Sequence, residues 1–497
     1  MEALILGLIG NVVFLFIAFW SIGFMFQRFN ISKENLAWKS LVWLINRSKT
    51  NDSARFMNRR EELQVFGPRN KGLIIDGRSQ RLSEDASCKH IAILARTGAG
   101  KTSRFILPNL LKQDQCSFLV TDLSGELFQK TSGYLKKRGF QVKALNLMDF
   151  SQSMQYNPLA FANSFTEIQQ LSHVLVKSSN PNDKDPFWGQ GAEKLLSILI
   201  TCLKNGPEEY QNLANVKHLL NHFGSDGRNL ESFISQYADE TTFSEYQGFV
   251  SGNEKTIQSF VVTAQTALRM LGNPEIGELT ARNDLDFNQL RNEKTALFLM
   301  VSQEQMEFYS FLINIFYTQF FAACFSSLQP KLPTYCLLDE FGHLFIPNFD
   351  TVVSTIRKYR VSVSIVLQNE AQLRQRYSEA GAKTILEGGM ASKLYFSGMD
   401  INTAKQLEQT LGKVKLNTQN NKLFGEQYNQ EKNLMNADQI RTLKDDEAIF
   451  LHENQKPAKI TMLPYFKQGD LVRKTKIAPV INNPRNRIPV SLIPISP

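Results

Sequence analysis

The sequence predicts an α/β fold: a parallel sheet with helices on both faces, interrupted by a helical insertion and preceded by an apolar N-terminal helix. Three observations lead to it. Short apolar runs alternate with helical patterns in both halves of the chain. A Gly-rich turn joins one of these runs directly to the helix after it. Between about Phe187 and Leu290 the strand signals stop and apolar residues recur at helical spacing, as in Leu195, Leu196, Leu199, Ile200 and Leu203.

The elements follow in order. Ala3 to Phe26 is a run of 24 residues without an ionisable group, long enough to cross a bilayer as a helix. Only Glu2 is charged before it, and it ends in Phe24, Met25 and Phe26 rather than in small residues. An uncleaved anchor over residues 1–30 therefore fits better than a signal peptide. Arg28, Lys33, Lys39, Arg47 and Lys49 come next, so the positive-inside rule places the body of the chain in the cytoplasm. Residues 31–70 read as a basic juxtamembrane segment. Within it Leu36 to Ile45, broken by Lys39, suits an interfacial helix against membrane lipid, with Trp38 and Trp43 at headgroup depth.

Strand signals occupy His90–Leu94, Ser117–Thr121 and Gln141–Leu147 in a first α/β stretch, residues 71–186. After the helical residues 187–290 they return at Thr295–Val301, Thr334–Leu338, Val361–Leu367 and Lys393–Phe396, within residues 291–466. The simplest account is one α/β domain with a helical insertion. Asn417 to Asn433 is Gln/Asn-rich and reads as a long loop, and residues 467–497 form a basic, Pro-containing tail with little ability to fold alone. From Gln455 onward eight Lys/Arg face a single acid, Asp470, a net of +7 in a chain whose total is +9. That excess suits either a solvated tail or contact with nucleic acid or anionic lipid. The five cysteines contain no C-x-x-C pair, which argues against a disulfide framework or a zinc site and fits a reducing compartment. His218 and His222 have metal-ligand spacing but no third ligand in sight, so they read as surface histidines.

The chemistry begins at Ala95-Arg96-Thr97-Gly98-Ala99-Gly100-Lys101-Thr102, between a strand and a helix. A P-loop asks for Gly, four residues, then Gly-Lys-Thr/Ser; here Ala95 replaces the first Gly, at a position that only starts the turn. Gly98 and Gly100 let successive backbone N–H groups wrap a phosphate. Lys101 would neutralise the β- and γ-oxygens of ATP, and the Thr102 hydroxyl would join the shell of Mg²⁺. A second carboxylate for Mg²⁺ is offered where the apolar run Tyr335–Leu338 ends in Asp339 and Glu340. Asp339 would hold the ion through water, and Glu340 would orient or deprotonate the attacking water. Gln368 ends another strand, where its amide could sense the γ-phosphate or simply face solvent.

Several blocks, taken in order and spacing, resemble a known family. They are ARTGAGKTSRFILPNLL, TDLSGELF, YNPL at Tyr156–Leu159, FWGQGAEKLL from Phe187, LLDEFGHL, TIRKYRVSVSIVLQNEAQLRQRY and DDEAIFLHENQKPAKITMLPYF. The chain is similar, over roughly Gly72 to Phe466, to the coupling proteins of type IV secretion, the TraG/TraD group of hexameric ATPases related to FtsK-type DNA pumps. The resemblance implies a RecA-like P-loop NTPase domain with an inserted all-α domain and an N-terminal transmembrane helix, assembled as a homo-hexamer at the bacterial inner membrane. It implies hydrolysis of ATP with Mg²⁺, Gln368 as a sensor, and Arg357 as an arginine finger reaching the γ-phosphate bound by a neighbouring subunit. The implied partners are single-stranded DNA with its attached relaxase and the components of the type IV secretion channel. A docking receptor for protein effectors, in which nucleotide switches assembly, and an FtsK-like DNA pump are the alternatives. Two features depart from the family's pattern. Ser124 stands where the TDLSGEL block usually carries Lys, and one membrane span is evident where many relatives have two. Asp122 and Glu126 remain in that block, and Asp122 could support Mg²⁺ from behind.

Overall fold

The computed structural model describes residues 53–67, 69–179, 185–224, 226–327, 329–417, 429–481 and 489–495. The expected membrane anchor and interfacial helix lie outside these residues. Among the described residues no helix is long and apolar enough to cross a membrane.

Nine strands among the described residues form one sheet. In chain order they are β1 (Ile91–Leu94), β2 (Ser117–Asp122), β3 (Gln141–Asn146), β4 (Thr295–Met300), β5 (Thr334–Leu338), β6 (Val361–Leu367), β7 (Ser392–Phe396), β10 (Glu447–His452) and β11 (Ala458–Thr461), with β8 (Lys413–Asn417) and β9 (Asn429–Asn433) forming a separate hairpin. Across the sheet the order is β11, β10, β7, β1, β6, β5, β2, β4, β3. From β7 through to β3 every neighbouring pair is parallel. Strands covered on both faces read as unbroken apolar runs, and β1, β2, β4, β5 and β6 are buried along their whole length.

The seven strand signals of the sequence correspond to β1 to β7. Two more strands, β10 and β11, extend the sheet antiparallel beyond β7. β11, AKIT, is an edge with one exposed face and its burial alternates along the strand, whereas β10, EAIFLH, lies between β11 and β7 and is buried at Ala448, Ile449 and Phe450. The Gln/Asn-rich loop needs correcting as well. Residues Asn429–Asn433 form β9, paired antiparallel with β8 so that Lys413 lies opposite Asn433. A two-stranded ribbon has no core to face, so polar residues satisfy it, and composition alone reads as loop.

β3 and β4 are sheet neighbours in parallel register, Gln141 opposite Thr295, yet the helical segment separates them in sequence. Its longer helices are Phe165–Ser179, Pro186–Asn205, Leu213–Asn221, Glu240–Val250 and Glu254–Ala267. The helical run thus begins before Phe187. Asp185 caps the longest helix by accepting from Phe187 N–H at 3.1 Å, with Pro186 at its first position. The predicted stripe Leu195, Leu196, Leu199, Ile200 and Leu203 is fully buried. Contacts place this segment and the sheet in one compact unit, Phe56–Leu411 with Met435–Pro497, and the β8–β9 hairpin in another.

The tail takes shape against the body of the chain. Helix Gly469–Thr475 buries Leu471, and Lys474 Nζ donates to the Leu111 carbonyl at 3.2 Å, satisfying one of the open carbonyls at the end of helix Leu107–Lys112. Val480 N–H then bonds Ser132 Oγ at 3.0 Å on helix Glu126–Lys137.

Candidate nucleotide site

Parallel strands end together, so the turns after β1, β5 and β6 meet at the C-terminal ends of these central strands, with β6 lying between the other two. The Ala95 N–H donates to the Leu367 carbonyl at 2.9 Å, which ties the start of the P-loop to the end of β6. Gly98 and Gly100 take φ of +80° and +81°, a region that side chains resist. At Gly100 a Cβ would also lie 2.3 Å from the Arg104 guanidinium, and that guanidinium donates back to the Ala99 carbonyl, bracing the loop. The first helical turn after Lys101 is a π-turn, Thr102–Ile106, before regular helix from Leu107. Arg96, Thr97 and Gly98 form the exposed rim.

Four of the proposed side chains converge on Lys101, whose side chain is 9% exposed. Its ammonium donates to Glu340 Oε1 and lies 4.0 Å from Asp339 Oδ1. Thr102 Oγ1 donates to Asp339 Oδ2 at 3.3 Å, and Gln368 Nε2 donates to Glu340 Oε2 at 3.1 Å. Gln368 therefore faces the site rather than solvent. Burial pushes the Asp339 carboxyl up to about 6, with Lys101 pulling it down and Glu340 adding to the rise. Two carboxylates against one ammonium leave a net negative pocket beside a hydroxyl. That donor set fits Mg²⁺, which prefers oxygen ligands, with Thr102 and Asp339 as the residues to hold it. Glu340 adopts φ +49°, a left-handed backbone that a non-glycine residue takes only when its surroundings impose it.

Arg357 is not part of this constellation. It is exposed on the turn Ile356–Tyr359, before β6, whereas Gln368 follows β6. At about 3.3 Å per residue the length of the strand keeps it about 20 Å from its own P-loop. There it lines a cleft of about 490 Å³ with Lys89, His90, Lys393 and Glu453. Asp122 has partners of its own. Its carboxylate accepts from Phe128 N–H at 2.8 Å and from Ser124 N–H at 3.4 Å, so it holds the start of helix Glu126–Lys137. Ser124 is exposed. Among the described residues no three His, Cys, Asp or Glu side chains are grouped to hold a metal ion.

Sequence reading missed Tyr377. Its hydroxyl accepts from Ile346 N–H at 2.7 Å, and its ring stacks on Phe341, the residue after Glu340, with centroids 5.8 Å apart and planes 11° from parallel. It thereby joins the helix that follows Gln368 to the loop that follows Glu340. No local pattern announces this contact, because it depends on how two loops fold over the sheet.

Residues 39–486 match the family model described as type IV secretory system conjugative DNA transfer. The chain belongs to this family. Its relatives among these type IV secretion proteins include Protein VirD4 of Rhizobium radiobacter, 24% identical over 408 residues that cover 77% of this chain and 58% of that protein. Type IV secretion system-coupling protein VirD4 of Bartonella quintana is 21% identical over 484 residues, covering 86% and 75%. The matched region spans less than two thirds of the first curated relatives. Among solved structures, the plasmid coupling protein TrwB in complex with the non-hydrolysable analogue GDPNP superposes with a TM-score of 0.63 at 16% identity, covering 83% of this chain and 94% of that one. TrwB with ADP and Mg²⁺ gives 0.62 at 16% identity, with the same coverage. The type IV coupling-protein fold is therefore the fold of this chain.

Proposed function

We propose that the chain is the ATP-hydrolysing coupling subunit of a conjugative type IV secretion system. It would form a homo-hexameric ring anchored by residues 1–30 in the bacterial inner membrane, recruit single-stranded DNA with its relaxase, and drive them into the secretion channel. The observation that carries this reading is the convergence of Lys101, Thr102, Asp339, Glu340 and Gln368 at the ends of adjacent parallel strands. Family membership and the nucleotide complexes of TrwB support it.

In this reading the P-loop backbone from Ala95 to Thr102 wraps the phosphates of ATP, and Lys101 pairs with the β- and γ-oxygens. Thr102 and Asp339 would hold Mg²⁺, which would supply charge neutralisation to the triphosphate. Lys101 already binds Glu340, so a triphosphate competes with that carboxylate for the same ammonium. Glu340 shifted from Lys101 is still held by Gln368, and it is placed to accept a proton from water as the water oxygen bonds the γ-phosphorus and ADP leaves. Arg357, remote from its own P-loop, acts on the site of the next subunit around the ring.

The test is ATP hydrolysis by the full chain in detergent, with and without single-stranded DNA, across a salt series. DNA should stimulate turnover, and the stimulation should fall steeply as salt rises. Turnover unaffected by DNA at low salt would remove the DNA-motor reading.

A further inference from the structure

The helical segment grips the chain's own C-terminal residues. Helix Leu213–Asn221 starts at Asn212, whose side chain accepts from Asn215 N–H at 3.0 Å. Asn215 is fully buried, and its amide bonds the tail backbone twice. Nδ2 donates to the Ser491 carbonyl at 3.0 Å, sharing its protons with Asn212 Oδ1 at 3.2 Å, while Oδ1 accepts from Ile493 N–H at 2.8 Å. One turn further along, His218 Nε2 lies 3.2 Å from the Ile493 carbonyl. The Ile493 side chain is 3% exposed, whereas Leu492 is 52% exposed. A cleft of about 600 Å³ adjoins this strap, lined by Pro489, Val490 and Ser491 together with Lys204 and Arg282.

An amide that donates at residue i and accepts at residue i+2 reads an extended backbone, whatever its side chains. Here the burial of the Ile493 side chain supplies the selectivity. Pro489 and Pro494 flank the gripped residues; each fixes its own φ and lacks an N–H, which predisposes the strap to an extended form. We infer that Asn215, His218 and the Ile493 pocket form a recognition site for an extended peptide with a branched aliphatic anchor. Residues 489–495 are its resident occupant, exchangeable for a partner's peptide of the same chemistry. Covalent attachment holds the resident strap at high effective concentration, so a partner peptide enters only when the strap is weakened or outcompeted. This site is independent of ATP hydrolysis, and either reading can fail while the other stands.

The test uses the full chain and a dye-labelled synthetic peptide of residues 489–495, PVSLIPI, followed by fluorescence anisotropy. Ile493→Asp in the protein expels the resident anchor and should tighten peptide binding by about tenfold or more over wild type. Adding Asn215→Ala, or separately His218→Ala, should reverse that gain, and a peptide carrying Asp at the anchor should not bind. Thermal melts of each variant show whether it is folded, and the half-buried His218 keeps the test open if Asn215→Ala is not. No binding by folded Ile493→Asp protein would overturn the inference. So would binding that both polar substitutions leave unchanged.

Discussion

Lys101 serves two carboxylates, and their separate environments assign separate tasks. Asp339 is the more deeply held, ionising only at about 6, while Glu340 sits between Lys101 and Gln368. Glu340→Gln keeps the shape of the site and removes the proton acceptor. ATP hydrolysis should fall by about 100-fold or more with nucleotide affinity nearly unchanged, measured as kcat against KM. Asp339 gives a pH signature. Its folded carboxyl ionises at about 6 against an ordinary 3.8, so the native state binds the extra proton between those values and stability is lost as pH rises through that window. Asp339→Asn removes the buried charge. In Mg²⁺-free buffer it should stabilise the protein by about 1–3 kcal/mol at pH 7.5, and the gain should shrink toward pH 4. Urea unfolding at the two pH values checks this; a gain that does not change with pH would contradict it. These residues were legible in the sequence because each closes a local motif, a Gly-rich turn or an acidic strand end. Tyr377 was not, since its stacking on Phe341 joins positions far apart in the chain.

At the scale of elements, the parallel strands could be read because burial on both faces makes them continuous apolar runs. β11 could not, since an edge strand with an exposed face carries charges that resemble loop, and β10 is a short apolar run enclosed by charged residues. The tail was legible as basic but not as a fitted part. Gly133 shows the fit: a Cβ there would lie 1.9 Å from the Ala478 carbonyl, backbone that cannot swing aside. Gly133→Ala should therefore lift the tail from helix Glu126–Lys137 and destabilise the fold by about 1–3 kcal/mol, read as a lowered Tm with faster proteolysis beyond Phe466. The helix itself would gain propensity from alanine, so an unchanged or raised Tm would show that the tail contact contributes nothing. Arg357 belongs to this scale as well, because it is the length of β6 that separates it from its own nucleotide site. Rings mixed from Arg357→Ala and Lys101→Ala subunits should recover activity that neither variant has alone. Mixed rings no more active than either variant would remove its action in trans.

Over the whole molecule, a nine-stranded sheet carries the site at the C-terminal ends of its central parallel strands and Arg357 at the opposite end of β6, while a helical crossover holds the chain's own tail. Family blocks spread over most of the sequence made this order recognisable, because their spacing reflects the sheet's connectivity. The Asn215 clamp escaped notice since its partners lie 276 and 278 residues away, and a backbone-reading asparagine leaves no side-chain pattern in the segment it binds. We propose that hydrolysis at Lys101 powers conjugative transfer. The most direct test is transfer of DNA between cells in which the native copy carries Lys101→Ala and the variant protein accumulates to the normal level. Transfer should fall by about 100-fold or more; transfer at the wild-type frequency would remove the motor role of Lys101.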